Sequence, residues 1–108
     1  MDADEASFQE LCDAFLMISC AREMKNFLRD LCTPAEITAM AERWHVCRLL
    51  HQSNLSYREI HQLAGASLVT IGRVARFLRS EPHGGYHAVL RKLNDRMNLT
   101  DKKKRVKK

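Results

Sequence analysis

Twenty-four residues from Leu55 to Leu78 have the pattern of two short helices joined by a tight turn. Ser56 is a favourable N-cap, and Glu59 three residues later completes the sequence of a capping box. Gly65 supplies the conformational freedom needed to end the first helix and turn within a few residues. Ser67 can cap the second helix. The spacing therefore predicts a helix-turn-helix, and this element constrains the fold more than any other segment.

Each predicted helix has apolar residues at helical spacing, so each has one face suited to a core. On the first helix these residues are Ile60, Leu63 and Ala64, and on the second they are Ile71, Val74, Ala75 and Leu78. Each helix is therefore expected to dock by one side and to leave the other side exposed.

The exposed side of the second helix has chemistry that suits DNA. Arg73 and Arg76 can bond phosphates or guanine edges, and Val69 can touch a thymine methyl group. Gly72 lowers helix stability, but it would let the backbone approach a groove floor closely. The alternative is an ordinary helical bundle with solvated arginines. The N-caps, the turn glycine, the apolar spacing and the exposed arginines are all consistent with a DNA-binding helix-turn-helix. We therefore predict DNA binding.

Charge is divided unevenly along the chain. Residues 1–42 carry nine acidic and three basic residues, whereas residues 43–100 carry three acidic and nine basic ones. The last eight residues, DKKKRVKK, add a net +5, which equals the net charge of the whole protein. The positive charge of residues 43–100 therefore coincides with the second helix of the predicted helix-turn-helix, where it would attract phosphates.

The length of 108 residues predicts one helical domain over residues 1–95, with the helix-turn-helix at about residues 56–79. The basic tail, residues 96–108, is expected to be disordered and either to aid solubility or to add phosphate contacts. No apolar run approaches membrane-spanning length, and the acidic start is unlike a signal peptide, so we expect a cytoplasmic protein.

The four cysteines lack a CxxC pair and are expected to be reduced core residues: Cys12, Cys20, Cys32 and Cys47.

The remaining sequence predicts further helices and no strands, which gives an all-α fold of about six helices. One helix is expected over residues 3–20, capped by Asp2 or Asp4, and a second around residues 24–31. Thr33 and Pro34 open a third helix to about His51, and a last one spans Tyr86 to about Leu93.

The small core and the apolar first helix favour a homodimer over a monomer whose first helix folds back. Two helix-turn-helix motifs related by a two-fold axis would engage half-sites about 34 Å apart on a palindromic operator. No phosphate loop, nucleophile elbow or paired acids indicate an enzyme, and no cofactor is predicted. His45, Cys47 and His51 lack the four-ligand spacing of a structural zinc site, so no metal site is predicted either.

About residues 30–80 resemble the central region of the Trp repressor superfamily. The shared motifs are a Cys-Thr-Pro helix start, an arginine ten residues after that threonine, an S-x-R-E-I opening and G-A-x-x-x-T-I-x-R across the turn. The GRVARFL ending is similar to the Trp-repressor-related YerC/YecD-type branch rather than to the tryptophan-sensing repressor. The resemblance implies an intertwined homodimer in which Arg58, His61, Leu68, Val69 and Gly72 lie at the DNA surface. Together with the cap serines Ser56 and Ser67 and with Arg73 and Arg76, these make up the predicted DNA-binding residues.

The resemblance also implies an effector pocket around Thr33, Arg43 and Arg73. Val74 replaces a glycine of the repressor and Phe77 replaces a serine, so their added volume would intrude on the slot for the indole ring. Tryptophan sensing is therefore not expected. Either Phe77 fills the slot itself, or the pocket takes a differently shaped small-molecule effector.

These observations predict a sequence-specific DNA-binding transcriptional regulator. Repression by operator occlusion is favoured, because the chain has no spare domain with which to recruit polymerase. Two alternatives stay open at this point. One is a helical protein interaction module, and the other is a monomeric helix-turn-helix of the transposase or sigma-like kind.

Overall fold

The computed structural model describes the backbone of residues 2–106 and the side chains of residues 2–99. This part of the chain is all-α and contains no strand, as predicted. The six helices are α1 (Ala3–Leu16), α2 (Ala21–Leu31), α3 (Pro34–Gln52), α4 (Tyr57–Ala64), α5 (Leu68–Arg79) and α6 (Gly85–Val106).

Side-chain caps fix most helix starts. Asp2 accepts a hydrogen bond from the backbone N–H of Glu5 at 2.8 Å, so the predicted cap of α1 is confirmed. Thr33 and Glu36 exchange two hydrogen bonds at the start of α3, of 2.8 and 3.1 Å. The first helix ends at Leu16 and not near residue 20, because Cys20 takes an extended backbone conformation as the N-cap of α2.

The last helix is longer than predicted. It was expected to end near Leu93, but α6 continues to Val106, so the tail expected to be disordered from residue 96 is helical up to that point. The physical reason is composition: residues 86–106 contain neither glycine nor proline and are rich in lysine and arginine, which favour helices. Residues 107 and 108 lie outside the described part.

The chain divides into two compact units, Met1–Ala39 and Met40–Lys108. One domain over residues 1–95 stays a prediction. The buried hydrophobic residues explain the division, because all of them belong to the second unit. They are Val46, Cys47, Leu50, Ile60, Ala66, Ile71, Val74, Ala75, Leu78 and Leu90. Helices α1 and α2 contribute no fully buried side chain. In the first unit, Phe15 and Phe27 meet edge to face with ring centres 5.5 Å apart.

The core of the second unit lies beneath the helix-turn-helix. Ile60 of α4 and Ile71 of α5 are fully buried, together with Val46 of α3. The four core positions predicted on α5 are all buried. Leu63 was also predicted to be a core residue, but it is 63% exposed. The eight-residue helix α4 buries only Ile60 completely, so Leu63 is left at the edge of the packed face.

All four cysteines are free, as expected, but they do not all belong to the core. Cys47 is buried, and burial raises the pKa of its thiol to about 11. Cys12 and Cys32 are half-buried. Cys20 is exposed because it caps α2, where its Sγ lies 3.6 Å from a carboxylate oxygen of Glu23. The prediction of a core position is therefore wrong for Cys20.

The buried face of α5 allows a matched test of the core. We expect Ile71→Ala to lower the free energy of unfolding by about 2–5 kcal/mol, because it removes buried methyl groups and leaves a cavity. Val69, two residues earlier on the same helix, is 83% exposed. Val69→Ala should change stability by less than about 0.5 kcal/mol. Urea unfolding measures both, and equal losses would contradict this assignment of the core.

The capping box of α4 predicts a pH dependence of stability. The backbone N–H of Ser56, followed by its side chain, hydrogen-bonds the Glu59 carboxylate and lowers its pKa. Because the folded pKa lies below the unfolded value of about 4.3, this stabilisation is present at neutral pH and is lost as the pH falls through the folded pKa. Glu59→Gln keeps an acceptor but cannot titrate. The free energy of unfolding of Glu59→Gln should therefore change less than that of the unsubstituted protein between about pH 6 and pH 3. Equal changes in the two proteins would contradict a pH-dependent stabilisation by the capping box.

Candidate nucleic-acid interface

The turn between α4 and α5 has the geometry that the sequence predicted. Ser56 and Glu59 form both bonds of the capping box, at 3.0 and 3.1 Å. Gly65 ends α4 in the left-handed conformation, with φ +71°, and its N–H donates to the carbonyl of His61 at 3.0 Å. Glycine suits this position because a side chain would strain the backbone there. Ser67 then caps α5 by accepting from the N–H of Thr70 at 3.1 Å.

His61 braces the turn. Its Nδ1–H donates to the carbonyl oxygen of Ala66 at 2.5 Å, which connects the end of α4 to the residue before the cap of α5. Because a carbonyl oxygen can only accept, this contact requires the proton on Nδ1 and leaves Nε2 available to a partner. The ring is exposed. His61 therefore has a structural contact as well as an exposed nitrogen at the predicted DNA surface.

The exposed side of α5 carries a stripe of four residues at helical spacing, which we call the reading stripe: Val69, Gly72, Arg73 and Arg76. Val69 is 83% exposed, and Leu68 beside it is 56% exposed. A Cβ added at Gly72 would meet no other atom of the chain within 4 Å. Packing within the protein therefore gives no reason for a glycine at this position.

Both arginines of the reading stripe lie against one aromatic ring. The guanidinium carbon of Arg73 is 4.4 Å from the centre of the Phe77 ring, and that of Arg76 is 4.9 Å from it. His83 stacks on the same ring, with centres 6.2 Å apart and an angle of 11°. Cation–π contacts at these distances restrict where the two guanidinium groups can lie. Arg76 also pairs with Glu81, through Nε and Oε1 at 3.2 Å.

The remaining predicted DNA-binding residues are exposed and lie at the starts of the two helices, Ser56 and Arg58 at α4 and Ser67 at α5. The structure thus brings the side chains of α4 and α5 that were predicted from the sequence to the solvent side of one helix-turn-helix. Sequence spacing did not single out Glu81. The only signal for it was an acidic residue just beyond the end of an arginine-bearing helix.

Two residues of the predicted effector pocket line one cleft of the second unit. Arg73 and Phe77 line a cleft of about 410 Å³, together with Trp44, His83, Gly85, Tyr86 and Val89. Val74 does not line it, because this side chain is 1% exposed and belongs to the core face of α5. The effector pocket that includes Val74 stays a prediction. Thr33 lies in the first compact unit, where it caps α3.

The cleft is aromatic and carries positive charge. The rings of Trp44 and Tyr86 lie 6.4 Å apart. Burial raises the pKa of Tyr86, with a further contribution from Cys47, while the charges of Arg43 and Arg73 act in the opposite direction. The phenol is therefore neutral at physiological pH. Arg43 does not line the cleft, although its charge opposes the rise of the Tyr86 pKa.

Among the side chains of residues 2–99, no cluster of three or more His, Cys, Asp or Glu could hold a metal ion. His51 and His87 come together, with ring centres 6.2 Å apart, but His45 and Cys47 do not join them in such a cluster. In the same part of the chain, no helix is long and apolar enough to cross a membrane.

Known proteins with similar sequences agree with this geometry. Residues 6–94 match the family described as Trp repressor protein. The uncharacterized protein YerC of Bacillus subtilis (strain 168) is 39% identical over 69 residues, which cover 64% of this chain and 65% of YerC. The match thus spans just under two thirds of that relative. A Trp operon repressor homolog of Aliivibrio salmonicida (strain LFI1238) is 33% identical over 78 residues, covering 69% of this chain and 72% of the homolog.

Solved structures give the same result. A candidate Trp repressor from Staphylococcus aureus is 34% identical and superposes with a TM-score of 0.77, covering 87% of this chain and 95% of that one. A TrpR-like protein from Eubacterium eligens ATCC 27750 is 31% identical and superposes with a TM-score of 0.76, covering 82% of this chain and 90% of that one. The family match over residues 6–94, the relatives and the shared fold agree, and the chain belongs to the Trp repressor protein family.

Proposed function

We propose that this protein is a sequence-specific DNA-binding transcriptional regulator. The observation that carries the proposal is the division of α5 into two faces. One face is fully packed, and the other exposes the reading stripe with two arginines and an open glycine. A helix docked by one side and free on the other can enter a major groove without disturbing its own core. Family membership supports the same function.

The proposed mode of action is repression by occupying an operator in the cytoplasm. Two copies related by a two-fold axis would place two α5 helices on a palindromic site. The first compact unit supports a homodimer, because it leaves large apolar side chains at its surface. Phe8 is 67% exposed, Leu16 76% and Met17 77%. Exposed apolar groups of this size are typical of surfaces that a partner covers.

The alternative, a helical module that contacts protein through its helix-turn-helix, makes a different prediction about salt. DNA binding releases counterions from the phosphates, so the affinity for DNA falls steeply as salt rises. A gel shift against random DNA at two salt concentrations separates the two functions. Binding that weakens with salt supports the regulator, and its absence supports the interaction module.

Gly72 gives a sharper test, because stability and DNA binding should respond in opposite directions. We expect Gly72→Ala to stabilise the fold by about 0.5–1 kcal/mol, since alanine favours helices and has open space here. The larger Gly72→Leu should fold equally well but weaken operator binding, because its side chain would hold the duplex away. Thermal unfolding and fluorescence anisotropy measure the two effects. Full operator affinity in Gly72→Leu would contradict a close approach of the backbone.

We further propose that Phe77 takes the place of an effector. Its ring contacts both arginines of the reading stripe from within the cleft. A guanidinium held against a ring loses less conformational entropy when it binds a partner. The reading helix would then be ready for DNA without a bound corepressor.

This proposal predicts that tryptophan has no effect. Calorimetric titration of the purified protein with L-tryptophan, with and without operator DNA, should give no binding in the micromolar range. Phe77→Ser should enlarge the cleft and weaken operator binding, because both arginines lose their common support. Clear micromolar binding of tryptophan by the parent protein would refute the proposal that Phe77 takes the place of an effector.

A further inference from the structure

The guanidinium group of Arg76 is paired through Nε, whereas its two terminal nitrogens remain available. Its Nε lies 3.2 Å from Oε1 of Glu81, and its guanidinium carbon lies 4.9 Å from the centre of the Phe77 ring. The Arg76 side chain is nevertheless 61% exposed, against 33% for Glu81. A guanidinium group has five N–H donors in a rigid plane. When Nε is engaged by Glu81, the two terminal nitrogens still offer a pair of parallel donors.

The main chain, and not the side chain alone, places Glu81 beside Arg76. The N–H groups of Ser80 and Glu81 both donate to the carbonyl oxygen of Arg76, at 2.8 and 3.1 Å. The first bond continues the helical pattern, the second spans five residues and closes the last turn of α5, and Pro82 follows at once. Exposed ion pairs contribute little to stability. The larger consequence of the arrangement is that a carboxylate on one edge and the Phe77 ring restrict the orientation of the Arg76 guanidinium.

We propose that Glu81 is a specificity-determining residue that directs Arg76 at a guanine base. This inference rests on the proposed DNA-binding function. Two parallel donors match O6 and N7 of guanine in the major groove, where such a bidentate contact distinguishes bases. Arg76 ends the reading stripe that begins with Val69, so it faces the same groove.

The charge of Glu81 favours a base over a phosphate as the partner of Arg76. A carboxylate beside the arginine repels a phosphate, whereas a guanine edge carries no net charge. Glu81 therefore weakens contacts of Arg76 with the DNA backbone, which are the same for every sequence. Discrimination improves when unwanted partners are disfavoured as well as when the correct one is bound. Glu81 acts through Arg76 and is a positioning residue.

The test begins with selection of operator sites from a random DNA pool by the parent protein. Fluorescence anisotropy then compares the parent with Arg76→Ala and Glu81→Ala on the selected duplex, on duplexes with each base pair changed in turn, and on a random duplex. We expect both variants to lose the preference for one G·C pair in each half-site, by about tenfold or more. Glu81→Ala should also bind the random duplex more tightly than the parent.

Three further variants separate orientation from charge. Glu81→Gln keeps an acceptor for Nε, so it should retain part of the guanine preference while binding random DNA more tightly. Arg91→Ala and Asp95→Asn on α6 remove the same charges outside α5 and should leave the base preference intact. Thermal unfolding confirms that each variant is folded.

The outcomes are distinguishable. If Glu81→Ala keeps the full base preference, or if Arg76→Ala weakens all sequences equally, the role of Glu81 is refuted while the DNA-binding function stands. If the parent binds no DNA in a salt-dependent way, the proposed function fails, and the role of Glu81 fails with it.

Discussion

Ile60 and Ile71, one on each helix of the helix-turn-helix, are both fully buried over Val46 of α3. The rest of the second unit depends on this burial, because it fixes which side of α5 faces outward. The hydrophobic gain from burying such side chains is about 1.5–3 kcal/mol each, and a helix rotated about its axis would lose it. The exposed reading stripe is therefore a consequence of the core.

A second set of contacts controls the ends of the motif. Capping bonds begin both helices, Gly65 ends α4, and the ring of His61 closes the turn between them. At the other end of α5, the backbone N–H groups of Ser80 and Glu81 close the helix and bring a carboxylate to Arg76. Each contact is local, but together they hold the arginines of a short helix in defined places. This rigidity is what recognition of a base edge requires.

The two compact units differ in how far a single chain completes them. The second unit has a buried core and an aromatic cleft, whereas the first exposes Phe8, Leu16 and Met17 and buries no side chain completely. An intertwined homodimer, which family resemblance implies, would supply the missing partner surface. The small core described above is that of a single subunit. In the proposed dimer, the partner subunit would cover the apolar side chains that the first unit leaves exposed.

The sequence alone determined the helix-turn-helix, because its caps, its glycine turn and its apolar spacing are local signals that agree. It also determined the family through motifs in the same segment. It failed where the outcome depends on residues distant in the chain or on the extent of a neighbouring element. Leu63 has the spacing of a core residue yet is exposed, and α6 continues past Leu93. Only the tertiary structure placed Trp44 and Tyr86 beside Phe77 and Glu81 beside Arg76, since packing and the geometry of the turn that ends α5 decide such contacts, and spacing does not encode them.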